Sequence, residues 1–109
     1  MRLEDRELCA DLVKMEWEAE SGPAQREWAI LEDISPSGAC LQSETPVPPE
    51  TLLSLEFPGS DSCMARVKYC KFDRTNYLLG VHFEQGYRWS RRKFKPEHLL
   101  QFRLRCVKK

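Results

Sequence analysis

The chain has 109 residues, with 17 basic and 17 acidic side chains and a formal net charge of zero. That length fits one domain and excludes a multi-domain enzyme, and a chain of this size needs no disulfide or metal to hold a core. A hydrophobic content of 41% is too high for a disordered tail. The neutrality conceals a split. Residues 1–87 carry 8 basic and 16 acidic side chains, a net of −8, whereas residues 88–109 carry 9 basic side chains against Glu97 alone, a net of +8.

In chain order the signal is mostly period two. Leu12 to Trp17 alternates, with Val13, Met15 and Trp17 on one face and Lys14 and Glu16 on the other. Residues 18–25 are polar with a Gly-Pro step and read as a hairpin loop. A second strand is expected over Trp28–Ile34, a turn at Ser35-Pro36-Ser37-Gly38, and a short strand over Ala39–Gln42. Pro46, Pro48 and Pro49 forbid regular pairing and mark a connecting loop. Leu52–Phe57 is strand-like. Met64–Phe72 alternates, with Ala65, Val67 and Tyr69 opposed to Arg66, Lys68 and Cys70, and beyond the turn at Asp73–Asn76 a strand returns over Tyr77–Glu84. About six short strands with frequent turns are the pattern of a small barrel or sandwich. Trp17 and Trp28 are expected in the core, and His82 on an outward strand position. The C-terminal stretch is ambiguous. Pro96-Glu97 suits a helix start, yet Leu100, Phe102, Leu104 and Cys106 alternate as in a strand.

Several classes are excluded or disfavoured. No uninterrupted apolar run approaches the ~18 residues of a membrane span, and the start from Met1 to Glu7 is too charged for a secretory signal. The five cysteines are odd in number and lack C-x-x-C spacing, so they are expected to be reduced, mostly core residues of a cytoplasmic protein. Their spacing relative to His82 and His98 suggests no zinc site. The G-x-S-x-G elbow, the H-E-x-x-H pair and the phosphate-cradling glycine loop are all missing, so an enzyme is not expected.

A spaced polar set remains. Arg2 and Arg6 form R-x-x-x-R ahead of the first strand, and Asp33-Ile34-Ser35-Pro36-Ser37-Gly38 reads D-x-S-x-x-G at a strand end. The guanidinium fork pairs bidentately with phosphate or the O6/N7 edge of guanine, and stacks on bases. An aspartate accepts from guanine N–H groups or holds an arginine in place. Ser35 offers a hydroxyl, and Gly38 permits either close backbone approach or positive φ. Together these suit an anionic ligand carrying guanine. The plainer readings are solvated terminal arginines and an ordinary turn in which Asp and Ser bond their own backbone.

The order of these motifs resembles that of the PilZ domain, a bacterial receptor module for cyclic di-GMP. The similarity rests on Arg2-x-x-x-Arg6, on the Asp33–Gly38 motif and on the strand Tyr77-Leu78-Leu79-Gly80-Val81-His82-Phe83, and covers roughly residues 2–84. It implies a six-stranded antiparallel β-barrel over residues 1–86. It also implies a short C-terminal helix, which would fall in the basic segment 87–109 and pack on the barrel. Carried over by position, it makes Arg2 and Arg6 a clamp on guanines and phosphates, with Asp33, Ser35 and Gly38 as the other wall. No cofactor beyond this ligand is implied. The expected role is a non-catalytic receptor relaying cyclic di-GMP levels to a downstream protein. Glu4 and Asp5 lie inside the arginine motif, and some family members act only through proteins, so a protein-interaction module without nucleotide binding is the alternative.

The basic segment mixes Arg88, Arg91, Arg92, Lys93 and Lys95 with Tyr87, Trp89 and Phe94. A solvated surface and a protein-docking segment both fit this mixture better than a nucleic-acid or membrane site.

Overall fold

The computed structural model describes residues 7–19, 22–59, 61–90 and 92–93. Six strands follow one another: β1 (Glu7–Glu18), β2 (Ala24–Ile34), β3 (Gly38–Ser43), β4 (Leu52–Glu56), β5 (Ser62–Asp73) and β6 (Asn76–Phe83). All neighbours are antiparallel, and the sheet closes into a barrel in the order β1-β2-β3-β6-β5-β4. Closure removes every sheet edge. The expected helix falls outside the described residues.

Alternation places one face of each strand inside. Val13, Met15 and Trp17 of β1 are buried as expected, packed with Leu31, Leu41, Leu53, Leu55, Val67 and Leu79 from the other five strands. The proline loop is not loose. Val47 is fully buried, Glu50 N–H donates to the Val67 carbonyl at 2.7 Å, and Val67 N–H donates to the Thr51 carbonyl at 2.9 Å. Cys9 and Cys40 are buried thiols, and Cys63 and Cys70 are half-buried thiols.

Two aromatic expectations are corrected. Trp28 is 61% exposed, because Ala29 and Leu31 hold the inward phase of β2 and Trp28 falls between inward positions. It pairs instead with Lys14 on the outer face, where the ammonium lies 5.5 Å from the ring centroid. Tyr69 was expected beside Ala65 and Val67 but is 48% exposed. A β-bulge between Val67 and Tyr69 inserts Lys68 against β6 and reverses the phase, so Cys70 packs against the core in its place.

Candidate functional site

A second bulge sets the candidate site. Leu31 of β2 pairs with Leu41, and Asp33 with the adjacent Cys40, leaving Glu32 as the extra residue. Unbroken alternation from Ala29 and Leu31 would send Asp33 into the core. The bulge instead buries Ile34 completely and leaves Asp33 half-buried. A carboxylate at this strand end is thereby presented outward without losing the apolar anchor beside it.

The turn that follows is tightly held. Ser35 N–H donates to the Gly38 carbonyl at 2.9 Å, and the Ser35 hydroxyl donates to the same oxygen at 3.3 Å. Ser35 is 2% exposed, so in this conformation its hydroxyl shapes the turn. Gly38 does not need positive φ, which among the described glycines occurs at Gly22, Gly59 and Gly86. Its requirement is steric, since a Cβ there would overlap the Val81 carbonyl of β6. Two further bonds brace the turn from the far side of the sequence. Phe83 N–H donates to the Ser37 carbonyl at 2.9 Å, and Trp89 N–H donates to the Pro36 carbonyl at 2.9 Å.

Strand register extends the site across the sheet. Leu8 pairs with Asp33, Asp33 with Cys40, Cys40 with Gly80, and Gly80 with Tyr69, forming one transverse row over five strands. The row faces outward: Ala39, Leu41, Leu79 and Val81, which flank Cys40 and Gly80 in sequence, belong to the core cluster, and Cys40 does not. The neighbouring row contains Gly38 paired with His82, and His82 paired with Arg66. His82 is exposed, as expected of an outward position. Sequence reasoning missed Tyr69, whose outward phase depends on the bulge at Lys68.

Of the five expected ligand residues, the structure brings Asp33, Ser35 and Gly38 together at one turn. Arg2 and Arg6 lie outside the described residues. The register Glu7↔Ile34 does fix where β1 begins, directly beside that turn. A cleft of about 970 Å³ opens at the opposite end of the barrel, lined by Trp17, Pro46, Pro48, Glu50 and Leu52 among others. It contains none of the motif residues, so volume and motif point to different places. The motif carries the stronger argument, because its chemistry is specific and a concave surface alone is not.

Tyr87 and Trp89 belong to the barrel's packing although they open the basic segment. Trp89 is 4% exposed and lies in the core cluster, and the Tyr87 ring meets Phe83 edge-on at 5.0 Å. The Tyr87 hydroxyl donates to Asp61 Oδ2 at 2.5 Å, and burial together with this bond holds its pKa above the ordinary phenol range. Burial, aided by the Asp61 charge, also pushes the Cys63 thiol up to about 12. Cys63 is therefore an unreactive thiol at neutral pH.

No curated protein sequence matches the chain significantly. Among solved structures, the chain is similar to that titled "Structure of K. pneumonia MrkH-c-di-GMP complex", with a TM-score of 0.62 and 15% sequence identity. The match covers 98% of this chain and 52% of that one, so the chain spans about half the length of this neighbour. At that identity the likeness is one of fold. The family model of the PilZ domain matches residues 5–104, nearly the whole chain and all six strands, and the protein belongs to the PilZ domain family.

Proposed function

We propose that the protein is a cyclic di-GMP receptor that binds its ligand without catalysis and relays occupancy to a downstream protein. The observation that carries this reading is the turn itself. A PilZ-family barrel presents Asp33 outward at a bulge, beside a turn braced by Ser35 and Gly38, and β1 starts next to it at Glu7. Arg2 and Arg6 supply the cationic forks that a dianionic guanine dinucleotide requires, and Asp33 accepts from a guanine edge or orients one of those forks. Ser35 and Gly38 keep the turn in a shape that lets the ligand approach the backbone. The neighbouring MrkH was solved with c-di-GMP, which supports the same ligand class for this fold. The C-terminal helix implied by the family belongs to this reading too, as the continuation of the basic segment beyond the barrel and a surface for the partner.

Titration calorimetry with cyclic di-GMP tests the reading. Micromolar or tighter binding that disappears in Arg6→Ala and in Asp33→Ala is the expected result. No heat at high ligand concentration overturns it and leaves a PilZ-fold interaction module, a reading to which Glu4 and Asp5 inside the arginine motif contribute.

A further inference from the structure

The cleft at the end of the barrel away from the Asp33–Gly38 turn is built in advance of any occupant. Glu16 of β1 pairs with Ser54 of β4, and the cleft opens where these neighbouring strands meet the proline loop. That loop is pinned at several points. Val47 is fully buried between Pro46 and Pro48, and Glu50 N–H donates to the Val67 carbonyl at 2.7 Å. Arg66 Nη1 donates to the Glu50 carbonyl at 3.0 Å. The Ser43 hydroxyl donates to the Thr45 carbonyl at 2.8 Å, and the Thr45 hydroxyl donates to the Glu27 carboxylate. Glu50 is held at a φ of 76°, a left-handed conformation that a residue other than glycine keeps only where its surroundings fix it.

The lining combines two kinds of surface. Trp17, Pro46, Pro48, Leu52 and Met64 supply apolar area, and Glu16, Glu18 and Glu50 supply negative charge, with no Lys or Arg among the described lining residues. Glu16 is already paired with Arg26 at 2.7 Å. Glu18 and Glu50 are exposed, and neither carboxylate has an ion-pair partner among the described residues. We propose that this cleft docks a basic segment of a partner protein, with Arg or Lys stems packed on the apolar lining and their cationic heads on Glu18 and Glu50. These are the side chains that join a long apolar stem to a positive charge. A volume of about 970 Å³ has room for a few of them, since pockets of about 300–1,000 Å³ bury a drug-sized molecule. The barrel is closed and leaves no strand edge for main-chain pairing, so recognition here falls to side chains. The pinned wall lowers the ordering cost of docking, and a body of net charge −8 draws in a cation. None of the ligand-motif residues lines the cleft, so this role stands independently of the cyclic di-GMP reading.

Fluorescence anisotropy on the full chain tests this with a short labelled peptide of alternating arginine and leucine. Two control peptides carry glutamate in place of arginine or serine in place of leucine. The arginine–leucine peptide should bind, and both controls should bind far more weakly. Combining Glu18→Gln with Glu50→Gln should weaken binding about three- to tenfold, the scale of two exposed ion pairs. Combining Glu56→Gln with Asp73→Asn removes the same charge outside the lining and should leave binding unchanged. Thermal melts of both double variants should match that of the unaltered chain. Backbone amide shifts on peptide addition should fall at Glu50, Leu52 and Met64. No binding of the arginine–leucine peptide, equal losses in the two double variants, or shifts confined to residues outside the cleft overturn the proposal. Shifts among residues 94–109 overturn it too, by making the chain's own basic segment the displaced occupant. So does a dimer in sedimentation velocity that Glu18→Gln with Glu50→Gln dissolves, which assigns the cleft to a second copy.

Discussion

The ring of Tyr69 lies directly against the α-carbon of Gly80, on the outer face of the barrel and in the same transverse row as Asp33. A Cβ at position 80 would overlap the ring itself, so the absence of a side chain on β6 is what allows the aromatic group to lie flat there. Gly80→Ala should therefore displace Tyr69. Because Tyr69 is half exposed and can swing outward, the stability cost should stay near the low end of the ~1–3 kcal/mol typical of overpacking. Most of that cost should vanish in a Tyr69→Ala background, a coupling that chemical denaturation of the four proteins in the cycle measures directly. Equal costs in both backgrounds would mean that the glycine serves the backbone alone.

The bulge at Glu32 makes an equally specific prediction. Ile34 and Leu12 are both apolar strand residues, yet the former is fully buried and the latter is 55% exposed. Ile34→Ala should cost about 2–5 kcal/mol and Leu12→Ala less than about 1 kcal/mol. Urea unfolding of the two variants checks this. Similar losses would place β2 in the unbulged phase, with Asp33 rather than Ile34 facing the core.

Much of the barrel was legible because β1 repeats with an unbroken inward phase at Val13, Met15 and Trp17, and because turn residues punctuate every strand. The D-x-S-x-x-G turn was legible for the same local reason. Tyr69 and Trp28 were not. Alternation identifies two faces without saying which is buried, and a bulge such as that at Lys68 is visible only against its partner strand. The steric origin of Gly38 was equally hidden, since the atom that excludes a side chain belongs to Val81, more than forty residues away. Trp89 was masked by its surroundings: an aromatic among arginines reads as surface until a distant turn is found to accept its N–H.

That last contact packs Trp89 onto the barrel. Trp89→Ala should remove about 3–5 kcal/mol, the scale of a buried indole, even though its immediate neighbours Arg88 and Ser90 are exposed. Trp89→Phe should retain a large part of that stability, since a second aromatic ring refills most of the buried volume that alanine leaves empty. Thermal unfolding followed by far-UV circular dichroism distinguishes the two. An alanine variant as stable as the unaltered chain would show that the buried indole adds nothing to the barrel's stability.

Alkaline pH should loosen the same end of the barrel. The Cys63 thiol is pushed from its ordinary 9.0 to about 12, primarily by burial, and the Tyr87 phenol is raised from 10.0 by burial and by its bond to Asp61. Both groups are acids whose folded-state pKa exceeds the unfolded value. The folded chain thus holds protons that the unfolded chain releases. Their contribution is fully present below about pH 9 and is lost as pH rises from about 9 towards 12. Melting temperature should be flat on this account up to about pH 9 and then fall. Both groups are partly open to solvent, which lessens the size of the effect without changing its sign. Cys63→Ser should flatten the decline, and combining it with Tyr87→Phe should flatten it further. The double variant should start from a lower melting temperature at neutral pH, because the bond to Asp61 is gone. A decline of equal steepness in all three proteins would assign alkaline sensitivity to other groups.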